Sequence, residues 1–97
     1  MVRGRKIEAV RMLTRYIQAA MRDAKYEMLD DKTFYGSISG FEGVWANEST
    51  LEACRQELQD VLEDWILLGV SLNHELPIVN GIELKYSEDR SLTLAAR

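Results

Sequence analysis

Apolar residues recur at helical steps in two stretches of the chain and alternate with polar residues in four shorter ones. In the first helical stretch, Ile7, Val10, Leu13, Ile17, Ala20 and Met21 share one face. Arg11, Arg15, Gln18 and Arg22 fall mainly on the other, and the spacing predicts an amphipathic helix over 7–22, with residues 1–5 frayed. The period then shortens. Tyr26 and Met28 alternate with charged neighbours, Asp30-Asp31-Lys32-Thr33 reads as a polar turn, and Phe34, Gly36 and Ile38 alternate with Tyr35 and Ser37. This is the pattern of a β-hairpin. The Ser39-Gly40-Phe41-Glu42-Gly43 segment is a loop whose phenylalanine is expected to turn back onto the core. Its glycines call for unusual backbone angles or for close approach of another chain segment. Val44-Trp45-Ala46 follows as a short third strand.

Ser49 with Glu52 has the spacing of a capping box and opens the second helix, which extends from Thr50 to Leu68 or Ser71. Its expected apolar stripe is Leu51, Cys54, Leu58, Val61, Leu62, Trp65, Leu68 and Leu72, opposite Glu52, Gln56, Gln59, Asp60 and Glu63. Gly69 either ends the helix or weakens it. Beyond Pro77, Asn80-Gly81 signals a turn, and Ile82, Leu84 and Tyr86 alternate with Glu83 and Lys85 as a fourth strand. After Ser87 the pattern decays into a tail, 87–97.

These elements predict one α+β domain over residues 1–97: a two-layer fold with an antiparallel three- to four-stranded sheet packed on a long helix (β-β-β-α-β, residues 25–86) and an additional N-terminal helix. The sheet's second face then needs cover from the first helix or from a second copy, with Tyr35 and Trp45 the side chains expected there. An uncovered sheet edge would also invite pairing between chains.

Charge adds an asymmetry. Residues 1–25 carry seven basic and two acidic side chains, residues 26–97 five basic and fourteen acidic, for a net charge of -4. An acidic body suits a basic partner and repels nucleic acid. The basic set of Arg3, Arg5, Lys6, Arg11, Arg15 and Arg22 is the one candidate for nucleic-acid contact, or for the acidic body of a neighbouring copy. Basic residues at the start are followed by no apolar run of signal-peptide type, and the Trp65–Val70 run is too short to span a bilayer, so a soluble cytoplasmic protein is expected.

Catalytic chemistry finds little support. The single cysteine, Cys54, falls on the inward face of its helix, and the single histidine, His74, lies about 30 Å of helix rise away. Neither supplies the partners of a nucleophile or a zinc site. Asp30-Asp31 sit in a turn, and Asp60, Glu63 and Asp64 on a helix exterior, where carboxylates are ordinarily solvated. No glycine-rich phosphate loop, serine elbow or paired-cysteine motif occurs. No catalytic residue, cofactor or metal is expected.

The stretch from Phe34 through Gly36, Gly40, Phe41 and Gly43 to Asn47 resembles the second strand, glycine-bearing loop and third strand of HicB-family antitoxins. The Ser49–Cys54 helix start and the acidic, leucine-rich Glu57–Trp65 run resemble the helix that follows in that family. The resemblance covers roughly residues 25–80. It implies a partial ribonuclease-H-like fold, assembly as dimers or tetramers, and a small basic HicA-type mRNA-cleaving toxin as the partner to be neutralised. Candidate partner contacts are Phe41, Glu42, Asp60, Glu63 and Asp64. Arg11, Arg15, Arg22, Tyr35 and Trp45 are candidates for oligomer or nucleic-acid contact. Unlike many members, the chain shows no C-terminal DNA-binding module and carries an extra N-terminal helix, so direct DNA binding is not expected; nor is a membrane role, because the apolar face of the basic helix lacks Trp and Phe anchors. The alternatives are a solitary homo-oligomeric interaction protein and, third, a hydrolase or nuclease built on Asp30, Asp31, Asp60 and Asp64.

Overall fold

The chain runs through α1 (Val2–Arg22), β1 (Ala24–Met28), β2 (Phe34–Ile38), β3 (Trp45–Glu48), α2 (Leu51–Ser71), β4 (Ile82–Tyr86) and β5 (Leu92–Ala96). This is a computed structural model; it describes the backbone of residues 2–86 and 92–96 and the side chains of residues 11–84. The side chains of Arg3, Arg5, Lys6, Ile7, Val10 and Tyr86, on which the sequence reading draws, lie outside the described residues. The fold is α+β: an N-terminal helix, a three-stranded antiparallel sheet of order β1-β2-β3, a long helix and a further strand.

Local chemistry accounts for the turns. Between β1 and β2, Asp31 accepts from the Thr33 amide at 3.0 Å and the Thr33 hydroxyl at 2.6 Å, and Lys32 takes a positive φ of 70°. The short aspartate side chain stands in for a backbone acceptor and stabilises the reversal. Between β2 and β3, Gly40 and Gly43 have φ of 87° and 85°, and an added Cβ at either would meet open space. These two glycines serve the backbone angle and not a close approach. At Asn80-Gly81 both residues have positive φ (49° and 78°), and Val79 and Ile82 exchange both backbone hydrogen bonds. That is the two-residue hairpin turn for which Asn-Gly is favoured.

α2 is capped one residue later than the sequence suggests. Thr50, in extended geometry, accepts from the Ala53 amide at 3.0 Å, and Ser49 lies outside the helix. Gly69 does not end the helix. The end comes at Asn73 (φ 60°), where the Asn73 amide bonds to the Val70 carbonyl and the His74 amide to the Gly69 carbonyl. This paired arrangement satisfies carbonyls left over at the helix terminus.

The core ridge of α2 is Cys54, Leu58, Leu62 and Ile66, followed by Gly69. Four residues overshoot a full helical turn by about 40°, so the ridge winds around α2. Leu51, Leu68 and Leu72, expected in the stripe, are therefore left exposed, whereas Ile66 is buried. Fully burying a leucine is worth about 1.5–3 kcal/mol, so Leu58 and Leu62 are among the main contributors.

α2 lies on β2 and β3, and α1 lies against α2, β4 and β5. α1 starts upstream of the expected Ile7, and its buried face is Tyr16, Ile17, Ala19 and Ala20. Tyr16 and Ala19 are not part of the stripe that the spacing predicts. β4 does not extend the first sheet. It pairs antiparallel with β5, in the stretch expected to be a patternless tail. The hairpin so formed packs on α1, giving that helix the apolar cover it was expected to seek on the first sheet or on a second copy.

Candidate functional site

Strand register settles the two faces of the β1-β2-β3 sheet. Tyr26 pairs with Gly36, and Gly36 with Ala46, forming a row that faces α2. An added Cβ at Gly36 would stand 2.9 Å from the Tyr26 ring and 3.2 Å from Cys54 Sγ, so only glycine fits under α2 there. Cys54 is fully buried and its thiol donates to the Ala46 carbonyl at 3.6 Å. Burial pushes its pKa up, with the Glu48 charge adding to the effect, the reverse of an activated thiolate.

The other face carries Lys25, Ser37 and Trp45 in one row and Glu27, Tyr35 and Asn47 in the next. Tyr35 and Trp45 stack on each other, ring centroids 6.0 Å apart and planes 23° apart. Trp45 was expected to be covered by α1 or by a second copy; within the chain it is 53% exposed, because α1 packs elsewhere.

Phe41, proposed as a partner contact, is core. Its ring meets Tyr16 edge-on at 6.3 Å and Trp65 at 5.2 Å. It turns inward as the loop pattern implies and is closed to a partner. Glu42 beside it is exposed.

The exterior of α2 holds the acidic candidates. Asp60 and Asp64 are exposed and Glu63 is half-buried. Asp60 accepts from Gln56 and Glu63 from Gln59, each at 3.1 Å. These donors are neutral amides, so neither hydrogen bond pairs a carboxylate with a cation. The structure does not bring Asp30 or Asp31 to this surface; Asp31 is engaged in its turn, where the Thr33 hydrogen bonds lower its pKa. Among the described residues, no group of three or more His, Cys, Asp or Glu could hold a metal ion.

Arg11, Arg15 and Arg22 are exposed on α1. Arg22 also borders a groove of about 480 Å³ between α1 and α2, together with Ile17, Gln18, Arg55, Gln59 and Glu63. Among the described residues, no helix is long and apolar enough to cross a membrane. Sequence reasoning placed Tyr35 and Trp45 on the second sheet face, but not their stacking or that this face is left open within the chain. The alternation of Tyr35 and Ser37 against Gly36 and Ile38 separates the two faces, but nothing in it says that α1 packs away from the second one.

A family model described as UPF0150-like matches residues 15–77. The matched segment begins beside Tyr16 and ends at Pro77, the two residues that a hydrogen bond joins. The crystal structure of TTHA0281 from Thermus thermophilus is similar to this chain at 36% identity and a TM-score of 0.75, over 79% of this chain and 96% of that one. No curated protein matches the chain.

Proposed function

This chain belongs to the UPF0150-like family, and on that premise we propose that it is an antitoxin-like binding module, not an enzyme. The family is related to the HicB-like antitoxins. The proposed partner is a small basic HicA-type mRNA-cleaving protein, whose basic surface the module would cover.

The observation that carries this reading is the exterior of α2. Glu52, Glu57, Asp60, Glu63 and Asp64 stand along it against the single cation Arg55, and Asp60 and Glu63 accept only from neutral amides. A predominantly negative surface, held on a helix, steers a partner of the opposite sign and sets its orientation.

The test is calorimetric titration of the chain with a purified small basic HicA-type protein. Micromolar or tighter binding is expected, weakening as salt is raised, and lost when Asp60, Glu63 and Asp64 are all changed to Lys. Absence of binding at micromolar concentration would sink the reading.

A second reading, a homo-oligomeric interaction protein, draws on Leu67, Leu68 and Leu72. These leucines are 59%, 59% and 54% exposed at the C-terminal end of α2. Exposed apolar residues clustered this way mark association surfaces. A solution mass of one chain at all concentrations would count against it.

A further inference from the structure

The open face of the β1-β2-β3 sheet offers a chemistry different from that of α2. Its centre is the Tyr35–Trp45 stack. Trp45 is 53% exposed and Tyr35 is half-buried, so the tyrosine ring supports the indole by stacking on it while leaving it open to solvent. Glu27 stands directly across the strand from Tyr35, on the same face, and its carboxylate makes no hydrogen bond or ion pair with another described residue. Asn47 flanks Tyr35 on the other side. Its amide nitrogen donates to the Thr33 hydroxyl at 2.8 Å and the Phe34 carbonyl at 2.9 Å, leaving its side-chain oxygen as the unused acceptor.

An exposed indole attracts a cation over its ring, and tryptophan does so best among the aromatic side chains. A guanidinium suits the site better than an ammonium. It is planar, weakly hydrated, stacks on rings, and carries a fork of donors matched to a carboxylate. From this juxtaposition of Trp45, Tyr35 and Glu27 we infer that the sheet face is a docking surface for an arginine side chain of a basic partner protein. The inference rests on the reading of the chain as a binder of basic proteins and adds to it a second, aromatic contact away from the acidic helix.

Charge selects this occupant. Residues 26–97 hold fourteen acidic and five basic side chains. Single-stranded nucleic acid also stacks on aromatic platforms, but it needs a cationic groove for its phosphates. The two rows contain one cation, Lys25, and the Glu27 carboxylate shares its strand and face.

The test uses the full chain and a short fluorescein-labelled peptide of alternating arginine and alanine, read by fluorescence anisotropy. The same peptide with lysine and a single-stranded polyuridine are run in parallel, and the Trp45 indole N–H is followed by NMR. The arginine peptide is expected to bind more tightly than the lysine peptide and to shift the Trp45 resonance more than that of Trp65. Trp45→Ala should weaken it about fivefold or more, Trp45→Phe should retain most of the affinity, and Glu27→Gln should weaken it. Equal affinity of Trp45→Ala and the unaltered chain would overturn the inference. So would tighter binding of polyuridine than of the peptide. Should Trp45→Ala lose its circular dichroism spectrum, the Trp45→Phe and Glu27→Gln affinities and the indole shift decide: an unmoved indole and an unchanged Glu27→Gln affinity overturn the inference. If the peptide fails while the HicA-type protein still binds, the arginine site alone falls. If the peptide binds at Trp45 and the HicA-type protein does not, the antitoxin reading alone falls.

Discussion

Tyr16 donates its phenolic hydrogen to the main-chain carbonyl of Pro77, joining the second half of α1 to the segment that leads into β4 across 61 positions of sequence. The ring itself is fully buried and meets Phe41 edge-on. One side chain thus connects the N-terminal helix, the glycine loop and the second hairpin.

Replacing Tyr16 tests that connection. Tyr16→Phe should cost about 0.5–1.5 kcal/mol by removing the hydrogen bond, and Tyr16→Ala about 3–5 kcal/mol by emptying the site as well. Urea unfolding followed by circular dichroism measures both. Tyr26→Phe should behave in the opposite sense. The Tyr26 hydroxyl is buried without a hydrogen-bond partner among the described residues, so its removal is expected to be neutral or to stabilise by up to about 1 kcal/mol.

The same phenol gives the fold an alkaline limit. Burial raises the pKa of Tyr16 far above the ordinary value of 10.0, so the folded chain holds a proton that the unfolded chain releases. The stabilisation is fully present below pH 10.0 and is lost as pH rises from there toward the folded value. Urea midpoints measured across this range should fall with pH, and less steeply in Tyr16→Phe. Equal slopes in the two proteins would contradict the assignment.

Two glycine substitutions should diverge. Gly36→Ala places a methyl 2.9 Å from the Tyr26 ring and 3.2 Å from Cys54 Sγ, between a strand and a helix that cannot part easily. A loss of about 1–3 kcal/mol is expected from the overpacking. Gly69→Ala meets only the tip of Leu76, at 2.8 Å. That flexible end can move, and alanine gains helix propensity of about 1 kcal/mol over glycine, so the change should be close to neutral or stabilising. Thermal melts of the two variants side by side give the comparison.

The helix cap separates two readings of the same four residues. Thr50→Ala should cost about 1 kcal/mol, whereas Ser49→Ala should cost little. A larger loss at Ser49 than at Thr50 in denaturant titrations would restore the capping box that the Ser49–Glu52 spacing suggests.

Along α2, burial separates leucines that look alike in sequence. Leu62→Ala is expected to cost about 2–5 kcal/mol and Leu68→Ala within about 0.5 kcal/mol in the isolated chain. A large loss at Leu68 would mean that its side is covered by association, and the loss should then depend on protein concentration.

Much of the architecture is readable before any coordinates. The shift from helical to alternating period marks where α1 yields to the sheet, Asn80-Gly81 marks its hairpin turn, and Gly40 and Gly43 mark a loop, whose positive φ the structure selects over close chain approach. The acidic exterior of α2 is equally plain. Each is a local property, set by a residue's own backbone preference or by its position on a helix. The candidate site was less legible. Phe41 reads both as a core residue and as a contact, and burial selects the first. Trp45 was expected to be covered by α1 or by a second copy, and within the chain α1 leaves it exposed, because alternation defines two sheet faces without saying which one a helix will occupy.

What the sequence determined by itself is therefore the kind and order of the elements through β4, their turns, and the separation of a basic beginning from an acidic body. Tertiary structure decided which face of α1 is buried, that Ile66 is covered while Leu68 and Leu72 are exposed, and that β4 pairs with β5 apart from the first sheet. The physical reason is that periodicity specifies a face, while burial depends on the curved ridge a helix offers its neighbour and on the long-range partner that reaches it. A phenol bonding to a carbonyl 61 residues away leaves no mark on either local pattern.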